Sequence, residues 1–229
     1  MTAFDINILD KSLGEIARDL PGASRVFFSH GMNFCCKGHQ ALATSIQEKN
    51  LDVEEILSQL NQLIPAEAAE FSEKFVPNDE LINHILERYH QVHREQLPEL
   101  IRLAQRVESV HGDNPDCPHG LASFLIHVEE EMEAHMQKEE QILFPMIQRG
   151  MGGLAKSPVA VMRMEHDDHG ESLTRLEELT HHFQLPADAC NTWQALYTGL
   201  AAFKEDLMNH IHLENNILFE RIDNYLGGH

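Results

Sequence analysis

HMQKEEQILF at residues 135–144 and HIHLENNILF at residues 210–219 share the pattern H-x-x-x-E-x-x-I-L-F. Each places a histidine and a glutamate four apart, ahead of an apolar triplet, and that spacing puts both polar side chains on one face of a helix. The shift of about 75 residues that relates them also aligns HQVHREQL at 90–97 with HDDHGESL at 166–173, both H-x-x-H-x-E-x-L. The motifs therefore run A, B, A, B along the chain, the mark of an internal repeat.

From residue 80 onward the sequence reads as helical, with breaks predicted at 111–119, 149–158 and 184–191, where glycine, proline and short polar residues gather. No segment of alternating β-branched or aromatic residues competes. Four helices joined by connections of this length predict an all-α, up-down-up-down four-helix bundle over 80–229. The inward stripes follow three-and-four spacing: Leu86, His90, His93, Leu97, Ile101 and Ala104; Val128, Glu131, His135, Glu139, Ile142 and Met146; Met162, His166, His169, Leu173, Leu176 and Phe183; and Leu196, Leu200, Phe203, Leu207, His210, Glu214 and Ile217. Pro98 and Pro145 fall inside helical runs, as kinks or helix ends.

Polar residues interrupt all four stripes. An ionised carboxylate or unpartnered imidazole on an apolar face costs several kcal/mol, so each needs a partner. A single buried histidine is more often a hydrogen-bonded core residue than a ligand. Four histidines and two glutamates at matched repeat positions are another matter, and a shared metal centre built from His90, His135, Glu139, His166, His210 and Glu214 is the expectation. A tetrahedral zinc takes about four ligands. Two ions, held by four terminal imidazoles, two bridging carboxylates and a bridging oxide or hydroxide, keep about two positions open for a small ligand, and mixed nitrogen and oxygen ligation of that kind fits iron, then manganese, rather than calcium or magnesium. His93 and His169, three residues beyond a ligand, stay outside the set. Glu131 lies four before His135 and Asp206 four before His210, where each acid could accept the outer ring N–H of its histidine or simply be a solvated acid.

Residues 1–63 read as a small helical module: LGEIARDL, ASRVFFSHGM, the loop NFCCKGHQ, ALATSIQEKN, and DVEEILSQLNQL with Asp52 as its N-cap. Residues 64–79, with two prolines and no period, form the predicted linker. Cys35 and Cys36 are adjacent in the loop, beside Lys37 and His39. Such a pair makes a compact redox or soft-metal site when it is not two ordinary thiols. Cys117 and Cys190 receive no role, and the methionines read as core filler.

The 229 residues carry 17 basic and 37 acidic side chains, a net charge of −20, which repels nucleic acid and anionic membrane faces. There is no basic leader, no run long and apolar enough to span a bilayer and no disulfide framework, so a soluble cytoplasmic protein is expected. Sixteen histidines on so acidic a chain are its first functional signal.

FCCKGHQ in the module, RYHQVHREQLPELI, EEMEAHMQKEEQILFPMI with its GMGG tail, MEHDDHGE and LMNHIHLENNILF together resemble the di-iron iron–sulfur cluster repair proteins, a hemerythrin-like family often called repair of iron centres. The resemblance covers almost the whole chain. It implies a hemerythrin-like bundle whose iron ligands fall on His90, His135, Glu139, His166, His210 and Glu214, with Glu139 and Glu214 as bridges. It further implies acidic residues lining the approach to the irons at Glu131 and Glu165, and a functional Cys-Cys pair at Cys35 and Cys36. The implied task is to protect or restore iron–sulfur clusters damaged by nitric oxide or oxidants, through iron donation or nitric oxide handling. Expected partners are damaged iron–sulfur proteins and the gases nitric oxide and dioxygen, with a homodimer as a compatible assembly. The alternative is a hemerythrin-type module that binds or senses dioxygen or nitric oxide.

Overall fold

The computed structural model describes residues 8–63 and 76–224. Residues 64–75 of the predicted linker lie outside them. The described chain is all-α, with a lone antiparallel bridge between Ser12 and Ala41 in place of any sheet. None of its helices is long and apolar enough to cross a membrane. The chain divides into two compact units, one formed by residues up to 81 together with 208 onward, the other by residues 82–207.

In the first unit the predicted short helices form as α1 (Leu13–Asp19), α2 (Ala23–Ser29), α3 (Leu42–Glu48) and α4 (Val53–Gln62). Local chemistry sets their starts. Ser12 and Glu15 close a capping box on α1, and Asp52 accepts from the N–H groups of Glu54 and Glu55, as its place in the sequence predicts. Leu13, Ile16, Phe27, Met32, Phe34, Leu42, Ile56 and Leu60 make the core. The Cys35–Cys36 loop is tied back to α1 by Leu13 N–H to Gln40 O at 2.9 Å and Gly14 N–H to Gly38 O at 2.8 Å. The same unit contains the end of the last long helix. There residues 211–219 are all buried, Phe34 meets His212 edge-on and Arg18 pairs with Glu220.

The bundle is written in α5 (Asn78–Ile85), α6 (Gln91–His111), α7 (Leu121–Lys138), α8 (Phe144–Gln148), α9 (Gly152–Leu179), α10 (Asn191–Leu213) and α11 (Phe219–Asp223). Within 82–207 the pairings give its directions. As positions climb from His90, just before α6, through Arg94 to Glu108, their partners descend from Glu140 through Glu133 to Ala122. Along the same helix His93 meets Phe203 and His111 meets Trp193 on α10, again in opposite senses. Short connections and antiparallel neighbours are the up-down-up-down topology.

Among the described residues three π turns interrupt the rods: Leu86–His90 between α5 and α6, Glu139–Leu143 between α7 and α8, and Glu214–Leu218 between α10 and α11. In them Gln91 N–H donates to Leu86 O, Phe144 N–H to Glu139 O and Phe219 N–H to Glu214 O, each reaching five residues back. Each inserted residue slips the phase of the helix beyond it. That overturns part of the predicted stripes: Ile142 is 53% exposed while Leu143 is 1% exposed, and Ile147 rather than Met146 is buried. Leu86 likewise gives way to Tyr89.

Two further expectations are corrected. The break at 149–158 shrinks to three residues, because Gly152, Ala155, Val159 and Met162 already form the buried stripe of α9, and this packing carries the helix through Pro158. Phe183 lies past the end of α9, in a turn where His181, His182 and Phe183 all have positive φ, and its ring meets Tyr197.

Candidate metal centre

All six residues singled out by the repeat are buried, with side chains no more than a few per cent exposed. Three of them sit on π turns: His90 ends the first, Glu139 opens the second and Glu214 opens the third. Widened turns of this kind re-aim side chains at functional positions. His135 and His210 lie on α7 and α10, in the last turn before a π turn, and His166 lies on the uninterrupted α9.

Glu139 is the pivot. Its Oε1 lies 3.5 Å from Nε2 of His135 and its Oε2 lies 3.4 Å from Nε2 of His90, so the two oxygens of one carboxylate serve two different histidines. Nε2 of His166 stands 3.1 Å from Nε2 of His135. On the last helix, Nε2 of His210 is 3.3 Å from Oε1 of Glu214. Two sets of donor atoms, each set mutually within 4.8 Å, meet the geometric requirement for a bound cation: His90, Glu139, His210 and Glu214, and His135, Glu139, His166 and Glu214. Both carboxylates belong to both sets.

The outer ring nitrogens explain why the inner ones are ready to ligate. His90 Nδ1 donates to Glu140 Oε1 at 2.8 Å, and Arg94 Nη1 holds the same oxygen at 2.8 Å while bonding Glu133 with its other nitrogens. His135 Nδ1 donates to Glu165 Oε2 at 2.8 Å, and Lys138 Nζ holds the other oxygen at 2.5 Å. With Nδ1 carrying the proton, each Nε2 presents a lone pair inward. Burial raises the Glu140 carboxyl, but the bonds from Arg94 and His90 outweigh it and hold the group below the usual carboxylate range. The Arg94 contact does the same for Glu133.

This is a donor set that fits a cation. Convergent imidazole lone pairs and two carboxylates in an apolar bundle concentrate electron density where water cannot screen it. Six donors exceed the closed set of one tetrahedral zinc and suit two ions.

The acids around the site are placed differently from expectation. Glu131, expected beside His135, points outward and pairs with His127 at 3.2 Å; Glu165 is the acid that reaches His135. Asp206, expected at His210, is engaged by Arg88 and Gln96. An acid four residues earlier on the same helix lies over the preceding turn, whereas the outward ring edge faces the next helix. Glu140 as the partner of His90 was visible only as the second glutamate of the pair that opens the turn.

Cys35 and Cys36 lie in the first unit, in the loop after α2. Their sulfurs are 3.6 Å apart, Cys35 buried and Cys36 half-buried, and Asn33 Oδ1 accepts from Cys36 N–H at 3.0 Å and from the Cys35 thiol at 3.3 Å. His212, fully enclosed, is driven down to about 3 by burial and is neutral.

Comparison with known proteins agrees with this geometry. Residues 81–222 match the model of the hemerythrin HHE cation binding domain, and residues 9–64 match a domain of unknown function, DUF542. The chain is 49% identical over 214 residues, 93% of its length and 96% of theirs, to proteins named iron-sulfur cluster repair protein YtfE from Pectobacterium carotovorum subsp. carotovorum (strain PC1), Yersinia pseudotuberculosis serotype O:1b (strain IP 31758) and Yersinia pestis (strain Pestoides F). With the four-helix bundle, the small N-terminal module and similarity over nearly the whole chain, the protein belongs to the hemerythrin-like family of YtfE iron-sulfur cluster repair proteins.

Proposed function

We propose that the protein holds two iron ions at His90, His135, Glu139, His166, His210 and Glu214, and uses them to repair or protect iron–sulfur clusters damaged by nitrosative or oxidative stress. The observation that carries the reading is Glu139, whose two buried oxygens face two different histidines, while both glutamates belong to both donor sets. In this reading Glu139 and Glu214 bridge the ions, an oxide or hydroxide completes the bridge, and the histidines bind terminally. Iron so bound supplies one-electron chemistry and open positions for small ligands such as nitric oxide or dioxygen.

The chain's own residues do the rest. Glu140 and Glu165 fix the tautomer and angle of His90 and His135, and Arg94 and Lys138 hold those acids in place. Glu165, in contact with both a proposed ligand and the half-exposed Lys138, is a proton relay or an exit station for a departing ion. The clients are damaged iron–sulfur proteins in the cytoplasm, where the four cysteines remain thiols.

A dioxygen-binding or sensing module would use the bundle alone. The relatives named for repair match this chain through the N-terminal module as well, which favours repair. The test combines metal analysis and Mössbauer spectroscopy of freshly purified protein with recovery of activity by a nitric oxide-damaged iron–sulfur enzyme. Wild type should carry close to two irons per chain and restore the client, and Glu139→Ala should do neither. Full iron content in Glu139→Ala would refute the ligand set; reversible dioxygen release without client repair would favour the sensing module.

A further inference from the structure

The internal repeat is broken at one informative place. Glu140 and Gln141 of the first copy are half-buried and exposed, and Glu140 serves His90. Their counterparts in the second copy are Asn215 and Asn216, both buried. Asn215 Nδ2 donates to Cys35 O at 3.2 Å. Asn216 Nδ2 donates to Phe34 O at 3.0 Å, with Cys35 O at 3.5 Å, and also to Nδ1 of His212 at 2.9 Å. One amide therefore grips the cysteine loop with one N–H and its own helix with the other.

The seat is shaped for that amide. A Cβ on Gly38 would lie 2.3 Å from Asn216 Oδ1 and one on Gly14 would lie 2.7 Å from it, so both positions must lack a side chain for the asparagine to enter. Arg18 adds a brace, reaching the Asn216 carbonyl at 3.5 Å and Glu220 at 2.6 Å. Asn215 and Asn216 are also the second and third residues of the π turn that Glu214 opens. The loop with two thiols and the turn with a proposed bridging carboxylate thus share one pair of amide side chains.

We propose that Asn215 and Asn216 are positioning residues that couple the Cys35–Cys36 loop to Glu214, so that metal binding at the turn is felt at the thiols and a change at the thiols alters the hold on the metal. The proposal rests on Glu214 being a ligand. Coupling of this kind is reciprocal, which makes it measurable from the thiol side. The buried amide bonds stabilise the widened form of the turn that Glu214 opens.

The experiment is alkylation of the full-length protein by iodoacetamide, with and without ferrous iron, each cysteine followed by mass spectrometry. Iron should slow Cys36 alkylation about fivefold or more in wild type. The ratio should fall to about one in Asn216→Asp, which turns a donor into a carboxylate facing two carbonyls, and in Gly38→Ala, which unseats the amide from the loop side. A ratio of one in wild type, or the wild-type ratio kept by either folded variant, overturns the coupling. If wild type takes up no iron, the ligand reading has failed; the latch is then judged by hydrogen exchange at Phe219 N–H, which donates to Glu214 O. Exchange faster by about tenfold in either variant supports the latch, and unchanged exchange overturns it.

Discussion

Glu165 Oε2 accepts the hydrogen bond of His135 Nδ1 at 2.8 Å, across from α9 to α7. The contact fixes which ring nitrogen faces the proposed metal, so Glu165→Ala should lower metal affinity about 10- to 100-fold without dismantling the bundle. Glu131→Ala is the contrast, since Glu131 pairs with the exposed His127 at a surface where such pairs are worth about 0–1 kcal/mol. Chelator competition on both variants separates them. Equal affinities would show that His135 needs no acid.

The π turn at Glu139–Leu143 makes a prediction that an uninterrupted helix would reverse. Leu143 takes the inward place that regular spacing assigns to Ile142. Leu143→Ala should cost about 2–5 kcal/mol in denaturant unfolding, and Ile142→Ala less than about 1. A larger loss at Ile142 would mean that the helix runs through without the extra residue.

That slip shows what was legible in the sequence and what was not. Histidines and glutamates at repeat positions identified the bundle and all six buried donors, because period and duplication are local properties of the string. Burial after Glu139 was misplaced by one residue, because no residue type announces a π turn. The acids were harder still. Whether His135 is served by Glu131 or Glu165 depends on which helix faces its outer edge, and only packing decides that. Asn215 and Asn216 carry no signal of their own in the sequence, because their seat against the glycines at 14 and 38 exists only once the chain is folded.

Removing the metal should expose a conflict between function and stability at Glu139. In the apo protein its carboxyl group is fully buried, and Glu139→Gln replaces it with a neutral amide at nearly constant volume. Apo Glu139→Gln should therefore be more stable than apo wild type by about 1–3 kcal/mol. With iron the order should invert, since a ligand present at about 1,000 times its dissociation constant adds about 4.1 kcal/mol to the protein that binds it. Thermal unfolding of both proteins, with and without chelator, checks the crossing. Parallel shifts would mean that Glu139 does not contact the metal.

Cys190 offers a pH-dependent reaction away from the proposed metal centre. It stands just before α10, with Nε2 of His111 at 3.1 Å from its sulfur. The backbone N–H of Trp193 is the chief cause that brings its thiol from 9.0 down to about 7, against a smaller rise from burial, with His111 and the Thr192 N–H adding to the fall. Alkylation of Cys190 should therefore rise through a midpoint near pH 7 in the native protein, and near about 8.5 once it is denatured. Because the folded value is the lower one, the thiolate's contribution to stability is complete above the unfolded value and is lost as pH falls through about 7. His111→Ala should move the native midpoint upward, while Cys117, whose thiol burial pushes up, should react last across the range. A native midpoint unmoved by His111→Ala would leave the helix N–H groups as the sole source of the effect.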